Sequence, residues 1–243
     1  MKGSFEGRTA LVTGASGGIG RAIALAFAAR GGSVALVGRN RAALAEVAHE
    51  AEASGVRAEG LVADLASDES LHSLPERVRV AFGALHALVH AAGVYAAGPD
   101  AYPDPELVST LWRVNAHAPL LLSLACREML RESQGELVFV NSSVVLGAAP
   151  GLAGYAASKR ALTGIADSLR ATLNGEGIRV LSVYPGRTDT PMQRRILELE
   201  GRTYRPEALL RPEDVACAIV RALELPRTAE VTDIHLRPFR KLE

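Results

Sequence analysis

The stretch Thr13-Gly14-Ala15-Ser16-Gly17-Gly18-Ile19-Gly20 decides the fold that this sequence predicts. The apolar run Thr9-Ala10-Leu11-Val12 precedes it and is typical of a buried parallel strand. After it, apolar residues recur at helical spacing as far as Gly31-Gly32, which end the pattern. Strand, glycine turn and helix in this order suit a dinucleotide, because glycines let a pyrophosphate approach the backbone and a helix N-terminus offers free N–H groups.

The glycines of this turn follow the spacing Gly14-x-x-x-Gly18-x-Gly20, which differs from the common G-x-G-x-x-G pattern. An ordinary glycine-rich turn is therefore the alternative interpretation. The position of the turn after the first strand of an alternating pattern favours the nucleotide site. The residues expected to contact the cofactor here are Gly14, Ser16, Gly18, Ile19 and Gly20.

Apolar runs that predict strands alternate with helical patterns along the rest of the chain. The predicted strands are 9–12, 33–37, 57–62, 85–90, 136–140, 179–183 and 231–236. After the first helix, helices are predicted at 41–54, 67–81, 106–131, 155–173 and 212–223, and a loop with Gly98, Pro99 and Pro103 precedes the longest of them. The alternation predicts an α/β fold, a Rossmann-type doubly wound parallel sheet with helices on both faces, whose ligands bind beyond the carboxyl ends of the strands. Since no repeat or long linker interrupts it, residues 1–243 are expected to form one domain.

The composition excludes several classes of protein. With 243 residues, 48% of them hydrophobic, the chain can bury one large core. The net charge is zero and no basic run stands out, so neither nucleic acid nor a membrane surface is an expected partner. The longest apolar stretch, 118–126, is too short to span a bilayer, and no signal-peptide pattern opens the chain. Cys126 and Cys217 lack metal-ligand spacing, which favours buried thiols in the reducing cytoplasm and no bound metal.

The end of the second predicted strand indicates which nucleotide is bound. An NAD site has an acidic residue here to bind the ribose 2′-OH, whereas this strand ends in Val37-Gly38-Arg39-Asn40. Arg39 can bind a 2′-phosphate with two parallel hydrogen bonds, so NADP(H) is the expected cofactor. A solvated arginine is the alternative. At the next strand end, Asp64 is a candidate acceptor for the adenine amino group, with Leu65 beside it, although an Asp here can equally cap the following helix.

The fourth strand ends in His90-Ala91-Ala92-Gly93, whose small residues let the backbone, at Ala91 and Gly93, pass under a nucleotide. His90 is interpreted as a hydrogen-bonded strand-end histidine holding neighbouring loops, with a catalytic base as the alternative. At the sixth strand, the turn after Tyr184 carries four further candidate cofactor contacts: Pro185, Gly186, Thr188 and Thr190. The hydroxyl of Thr190 is expected to reach the nicotinamide amide.

Tyr155-Ala156-Ala157-Ser158-Lys159 places a phenol and an ammonium on one face of a helix, at positions i and i+4. A free tyrosine with a pKa of about 10 is a poor acid–base catalyst, but a nearby ammonium and an oxidised nicotinamide favour its phenolate. The chain has only three lysines, at 2, 159 and 241, against 24 arginines, so the internal Lys159 is expected to do chemistry that arginine cannot. Tyr155 and Lys159 are therefore candidate catalytic and cofactor-binding residues.

Three further polar residues complete the candidate site. Ser142 and Ser143 end the fifth strand, where a hydroxyl can polarise a substrate carbonyl, or alternatively pair with the loop backbone. Asn115 lies among apolar neighbours of the longest helix and is either a buried kink-former or part of a water-bridged proton relay.

Taken together, these motifs resemble the single-domain short-chain dehydrogenases/reductases, over nearly the whole chain. The resemblance rests on the glycine turn, Asp64, His90-Ala91-Ala92-Gly93, Asn115, Ser142, Tyr155-x-x-x-Lys159 and Pro185-Gly186. It implies strand order 3-2-1-4-5-6-7, Tyr155 as proton donor or acceptor, and Lys159 on the nicotinamide ribose, lowering the pKa of Tyr155. It also implies Ser142 orienting the substrate, Asn115 holding a relay water, and a homodimer or homotetramer.

Two departures from the family pattern concern the cofactor side. His90 stands where the family usually has asparagine, and Gly17 stands where many NADP-dependent members carry a second basic residue, so the NADP preference rests on Arg39.

The expected activity is an NADP(H)-dependent carbonyl reductase, or the reverse alcohol oxidation, acting on a small ketone, aldehyde or secondary alcohol. The candidate pocket residues are mostly apolar: Val94, Tyr95, Val144, Leu146, Leu152 and Met192. A mobile segment at 187–211 is expected to act as a lid, and its arginines (Arg194, Arg195, Arg202 and Arg205) either recognise an acidic substrate or form a solvated face. The alternative function is an NADPH-binding sensor or scaffold without turnover. An extended-family epimerase or dehydratase needs a larger C-terminal domain than the residues after Thr190 supply.

Overall fold

The computed structural model describes residues 3–96, 104–148 and 150–240. Lys2, Lys241 and the expected loop around Gly98, Pro99 and Pro103 lie outside these ranges. The described strands form one parallel sheet of seven strands in the order β3-β2-β1-β4-β5-β6-β7, which confirms the predicted fold class and strand order. The strands are β1 Thr9–Thr13, β2 Ser33–Gly38, β3 Ala58–Val62, β4 Ala87–His90, β5 Glu136–Val140, β6 Arg179–Pro185 and β7 Asp233–Leu236.

Helices cover both faces of the sheet. They are α1 Gly18–Ala28, α2 Arg41–Glu52, α3 Asp68–Phe82, α4 Pro105–Trp112, α5 Ala118–Glu132, α6 Ala153–Leu173, α7 Pro191–Leu199 and α8 Pro212–Leu223. Because successive strand residues point to opposite faces, each strand contributes to two cores. Val12 packs with α1, α2 and α8, whereas the neighbouring Leu11 packs with α3, α5 and α6. No helix in the described part of the chain is long and apolar enough to cross a membrane.

The longest predicted helix, 106–131, is not continuous. A π-helical turn, Arg113–His117, separates α4 from α5. We attribute it to Pro119, which has no N–H to donate to the carbonyl of Asn115 and whose ring would collide with that carbonyl in a regular α-helix. The wider turn includes Asn115, which is 1% exposed.

The segment 187–211 contains a helix that the sequence analysis missed. Thr190 caps α7, since its Oγ1 accepts a hydrogen bond from the N–H of Gln193 at 3.1 Å, and Pro191 occupies the first turn. The returning chain pairs with the residues that follow β6: the N–H of Leu210 donates to the carbonyl of Arg187 at 2.9 Å, and that of Asp189 donates to the carbonyl of Leu210 at 2.7 Å. A cap residue followed by proline was the available sequence signal.

Candidate active site

A cleft of about 830 Å³ opens at the edge of the sheet where the parallel strands have their carboxyl ends. Turns after β1 to β6 and the helices α6 and α7 form its walls. All predicted cofactor and catalytic residues except Asn115 line it: Gly14, Ser16, Gly18, Ile19, Gly20, Arg39, Asp64, Leu65, Ala91, Gly93, Ser142, Tyr155, Lys159, Pro185, Gly186, Thr188 and Thr190. The topology thus brings together side chains that are separated by up to 176 positions in sequence, from Gly14 to Thr190.

The glycine turn packs tightly against its neighbours. Gly14 has a φ of +68°, and a Cβ there would lie 2.8 Å from the backbone of Ala92, while a Cβ on Gly20 would overlap the carbonyl of Gly14. Thr13 ties the turn to β4, because its Oγ1 accepts hydrogen bonds from the N–H groups of Ala91 and Ala92 at 3.1 and 3.2 Å. These contacts leave the start of α1 with its N–H groups open to the cleft.

Arg39, predicted to select NADP(H), follows β2, and Asp64, predicted to bind the adenine, follows β3. Arg39 is exposed at the cleft, and no hydrogen bond or ion pair engages it among the described residues. Its neighbour Asn40 caps α2 by accepting from the N–H of Ala43 at 3.1 Å, so Arg39 is the residue left facing the cleft. Asp64 accepts from the N–H of Ala66 at 2.9 Å, while Ser67 and not Asp64 caps α3, with its Oγ accepting from the N–H of Ser70 at 3.4 Å.

Tyr155 and Lys159 lie in the first two turns of α6 and both face the cleft. Lys159 is 4% exposed, and burial lowers its pKa from 10.5 to about 8. Its Nζ donates to the carbonyl of Val140 at 3.1 Å. The ammonium is thus removed from water with no carboxylate partner among its described contacts.

Burial and one hydrogen bond act in opposite directions on the pKa of Tyr155. Burial raises the pKa of Tyr155 above its ordinary value of 10.0, against a lowering by the hydrogen bond with Ser142, and Lys159 does not contribute. Lys159 is directed to the carbonyl of Val140, so the expected activation of the phenol by the ammonium together with an oxidised nicotinamide stays a prediction. The phenol is protonated at neutral pH.

Ser142 is placed by a residue that the sequence analysis missed. Asn141 is 5% exposed; its Oδ1 accepts from the N–H of Ser142 at 2.9 Å, and its Nδ2 donates to the carbonyl of Lys159 at 3.1 Å and to Thr163 Oγ1 at 3.0 Å. It therefore couples the end of β5 to the turn of α6 that carries Lys159. A polar residue closing an otherwise apolar strand was the available signal.

The two serines after β5 differ in their contacts. Ser142 Oγ accepts from the N–H of Val144 at 3.2 Å and hydrogen-bonds with Tyr155. Ser142 therefore both pairs with the loop backbone and contacts the candidate catalytic tyrosine. Ser143 also lines the cleft.

Asn115 lies behind the cleft wall. Its Oδ1 accepts from the N–H of Val94 at 2.9 Å, and its Nδ2 donates to the carbonyl of Val94 at 2.9 Å and to Ser158 Oγ at 3.0 Å. The amide thus holds the loop after β4 against α6, and the bulged helix brings it there. Its side chain has a positioning role, while the water relay stays a prediction.

His90 is directed away from the cleft. Its Nε2 lies 2.9 Å from Ser123 Oγ, its ring stacks on Phe139 with centroids 5.0 Å apart, and burial lowers its pKa to about 3. His90 was expected to hold neighbouring loops, but its hydrogen bond goes to helix α5 instead. A role for His90 as catalytic base loses support, because the neutral ring is buried in the core and directed away from the cleft.

Thr188 and Thr190 line the cleft, but their hydroxyls are engaged locally. Thr188 Oγ1 donates to the carbonyl of Gly186 at 3.0 Å, and Thr190 Oγ1 donates to the carbonyl of Thr188 at 3.3 Å while capping α7. The expected contact between the Thr190 hydroxyl and a nicotinamide amide stays a prediction. Its methyl group instead approaches Gly18.

The predicted substrate pocket is mostly correct in position. Five of its residues line the cleft: Val94, Tyr95, Val144, Leu152 and Met192. The placement of Leu146 is wrong, because it lies at the end of a 3₁₀ turn with 60% of its surface exposed. Tyr95 packs edge-on against Tyr155 with ring centroids 5.0 Å apart.

The arginines Arg194 and Arg195 face an outer groove beside α8, with Arg194 over the ring of Tyr204, and they do not line the cleft.

The comparison with known families agrees with this geometry. The family model described as short chain dehydrogenase matches residues 8–201. The chain belongs to the short-chain dehydrogenase family. Within this family, an uncharacterized oxidoreductase of Staphylococcus saprophyticus is 31% identical over 245 residues, covering 96% of this chain and 98% of the relative.

Two solved structures of similar proteins carry a bound nucleotide. A short chain dehydrogenase from Burkholderia cenocepacia in complex with NADP is 32% identical, with a TM-score of 0.85 over 96% of this chain and 98% of the other. An alcohol dehydrogenase from the archaeon Thermococcus sibiricus, complexed with 5-hydroxy-NADP, is 26% identical, with a TM-score of 0.88 over 97% and 98% of the two chains. Membership of the family makes this chain an oxidoreductase.

Proposed function

We propose that this protein is an NADP(H)-dependent oxidoreductase that interconverts a small ketone or aldehyde and the corresponding alcohol. The residues fit such a cofactor: the turn from Gly14 to Gly20 offers a cradle with four glycines, and Arg39 is free to bind a 2′-phosphate. NADP complexes of similar proteins support the same assignment. When bound, NADP(H) supplies or accepts the hydride.

Tyr155 and Ser142 handle the proton and the oxygen. In the reducing direction, the substrate oxygen lies between the two hydroxyls, and Tyr155 donates its proton as the alkoxide charge develops. The raised pKa of Tyr155 suits this role, because the phenol keeps its proton at neutral pH until a stronger base forms beside it. Ser142 shares the charge without losing a proton.

The observation that carries the proposal is the buried ammonium of Lys159. Burying a lysine with only one carbonyl as partner destabilises a fold, so a purely structural role does not account for it. Its Nζ lies near Gly93 at the floor of the cleft, where it is able to hydrogen-bond a ribose hydroxyl and replace a proton lost by Tyr155. A non-catalytic NADPH sensor needs the glycine turn and Arg39 but not this costly group.

The experiment compares wild type with Tyr155→Phe in NADPH oxidation across ketones and aldehydes. We expect wild type to turn over and the variant to lose a factor of about 10² to 10⁴ in kcat, the usual contribution of a general acid. The variant should still bind NADPH, as measured by fluorescence. If neither protein turns over while both bind NADPH, the sensor function replaces the proposal; if the variant keeps its rate, Tyr155 is not the acid.

Three further features belong to this proposal. We propose that α7 and the rest of segment 187–211 act as a lid, since Met192 and Ile196 line the cleft.

Exposed apolar side chains on α4 and α5 fit a homodimer or homotetramer, namely Leu107, Val108, Trp112 and Leu124. Two free thiols fit a cytoplasmic location; Cys126 is buried as expected, whereas Cys217 is exposed, contrary to the expectation. Sedimentation or light scattering tests the oligomeric state.

A further inference from the structure

The face of α7 that lines the cleft carries polar as well as apolar side chains. Gln193, Ile196 and Glu200, the residue that follows α7, recur at helical spacing, and Arg187 lines the same cleft. Arg187 Nη2 is bound to both carboxylate oxygens of Glu200, at 3.0 and 2.9 Å. None of these three polar side chains has a role in the acid–base chemistry described above.

Two donors on this face have no partner among the described residues. Arg187 Nη1 and Gln193 Nε2 are both buried, and neither makes a hydrogen bond. Gln193 is only 8% exposed, yet it lines the cleft. A buried donor without an acceptor costs free energy, and such groups are rare in native proteins unless a ligand satisfies them. Two of them on one cleft wall point to a ligand that carries an acceptor.

The position of these donors relates them to the reacting end of the cleft. Arg187, Glu200 and Tyr95 line the same cleft. Burial raises the pKa of Tyr95, and the nearby charge of Glu200 raises it further while that of Arg187 lowers it. Tyr95 in turn packs against Tyr155. Arg187, Tyr95 and Tyr155 therefore share one cleft, so that one substrate is able to contact both Arg187 and Tyr155.

We propose that Arg187 and Gln193 form a second recognition point that binds an uncharged oxygen of the substrate, a hydroxyl or a carbonyl, apart from the reacting carbonyl. This inference rests on the proposed function, since it assigns the substrate class of the same site. A hydroxyl suits the position best, because it accepts from Arg187 Nη1 and donates to the Glu200 carboxylate. A substrate carboxylate is disfavoured, because Glu200 already neutralises Arg187 and would repel a second anion.

The test uses three matched probes: 4-methylcyclohexanone, 4-hydroxycyclohexanone and 4-oxocyclohexanecarboxylate. For wild type with NADPH, we expect kcat/KM for the hydroxyketone to exceed that for the methylketone by about tenfold or more, as for one hydrogen bond to a charged donor. The carboxylate should be the poorest of the three. Equal rates for the hydroxyl and methyl probes, or a preference for the carboxylate, would overturn the proposal.

Variants test whether the preference for the hydroxyketone comes from Arg187 and Gln193. Gln193→Met keeps the Arg187–Glu200 ion pair, and Arg187→Met removes it; each should lower kcat/KM for the hydroxyketone about tenfold and leave the methylketone within about twofold. Arg195→Met is the matched control, since Arg195 lies on the outer face of α7 and should change neither rate. If both ketones lose equally and KM for NADPH rises, the two donors serve the cofactor and the proposal is wrong.

Binding separates this inference from the proposed function. Calorimetric titration of each ketone into Tyr155→Phe saturated with NADPH does not depend on turnover. If wild type reduces no ketone, the proposed function fails, but tighter binding of the hydroxyketone that Gln193→Met abolishes still supports the recognition point. Equal binding of the methyl and hydroxyl probes overturns it.

Discussion

Replacing Lys159 by methionine should stabilise the protein at neutral pH while removing its activity. The pKa of Lys159 falls from 10.5 in the unfolded chain to about 8 in the fold because burial disfavours the ammonium. That difference corresponds to roughly 3 kcal/mol of unfavourable free energy whenever the lysine is charged in the fold, at pH below 8. The methionine side chain fills a similar volume and loses the hydrogen bond to Val140, worth about 1 kcal/mol. We expect a net gain of about 1 to 3 kcal/mol at pH 7.

The pH dependence gives the sharper measurement. Between pH 8 and 10.5 the unfolded chain holds a proton on Lys159 that the folded protein does not, so wild-type stability relative to Lys159→Met rises as pH increases. The advantage of the variant should therefore be full at pH 7 and shrink towards pH 10. Urea unfolding of both proteins at several pH values measures it. A variant that is less stable at pH 7, or a difference that does not change with pH, would refute the argument that the ammonium is buried at a cost.

The remaining predictions concern the nucleotide, the turn and the strand end. Arg39→Ser should raise KM for NADPH about 10- to 100-fold and leave KM for NADH nearly unchanged, as for a lost charge-assisted contact; an equal effect on both would remove Arg39 from the 2′-phosphate. Gly20→Ala should lower the melting temperature by several degrees because its Cβ overlaps the carbonyl of Gly14, whereas Gly17→Ala, with open space around its Cβ, should not. His90→Asn should keep most of the activity and resist acid better: with the pKa of His90 at about 3 in the fold, wild type loses stability as pH falls from 6.5 towards 3. Loss of activity in His90→Asn would restore a functional role for that ring.

The local sequence predicted the sheet well because strand formation depends on a short-range signal. Apolar runs such as Val34 to Val37 are fully buried on both faces, and a glycine turn must follow β1 if α1 is to start close to it. The prediction of one continuous helix over 106–131 was wrong at Asn115, also for a local reason. Pro119, four residues later, cannot accept a regular α-helical turn before it, and this signal is visible in the sequence. The helix in segment 187–211 was missed although Thr190 and Pro191 marked its start.

The electrostatics of the site could not be predicted in this way. Spacing puts Tyr155 and Lys159 on one helix face, but it does not say that the ammonium hydrogen-bonds Val140 or that burial raises the pKa of Tyr155. Both depend on strand β5, whose residues approach α6 only in the folded chain. Asn141, which couples that strand to the helix, was missed for the same reason.

The sequence by itself determined the alternation of strands and helices, the glycine turn and the order of the polar residues that end each strand, because these features depend on neighbours along the chain. The tertiary structure decided which of those residues meet in one cleft, which way His90 and Leu146 face, and that Arg187, Gln193 and Glu200 form one polar wall. Hydrogen bonds, burial and charge interactions act through space, over distances of a few ångströms between residues far apart in sequence. Only the assembled sheet and its helices set those distances.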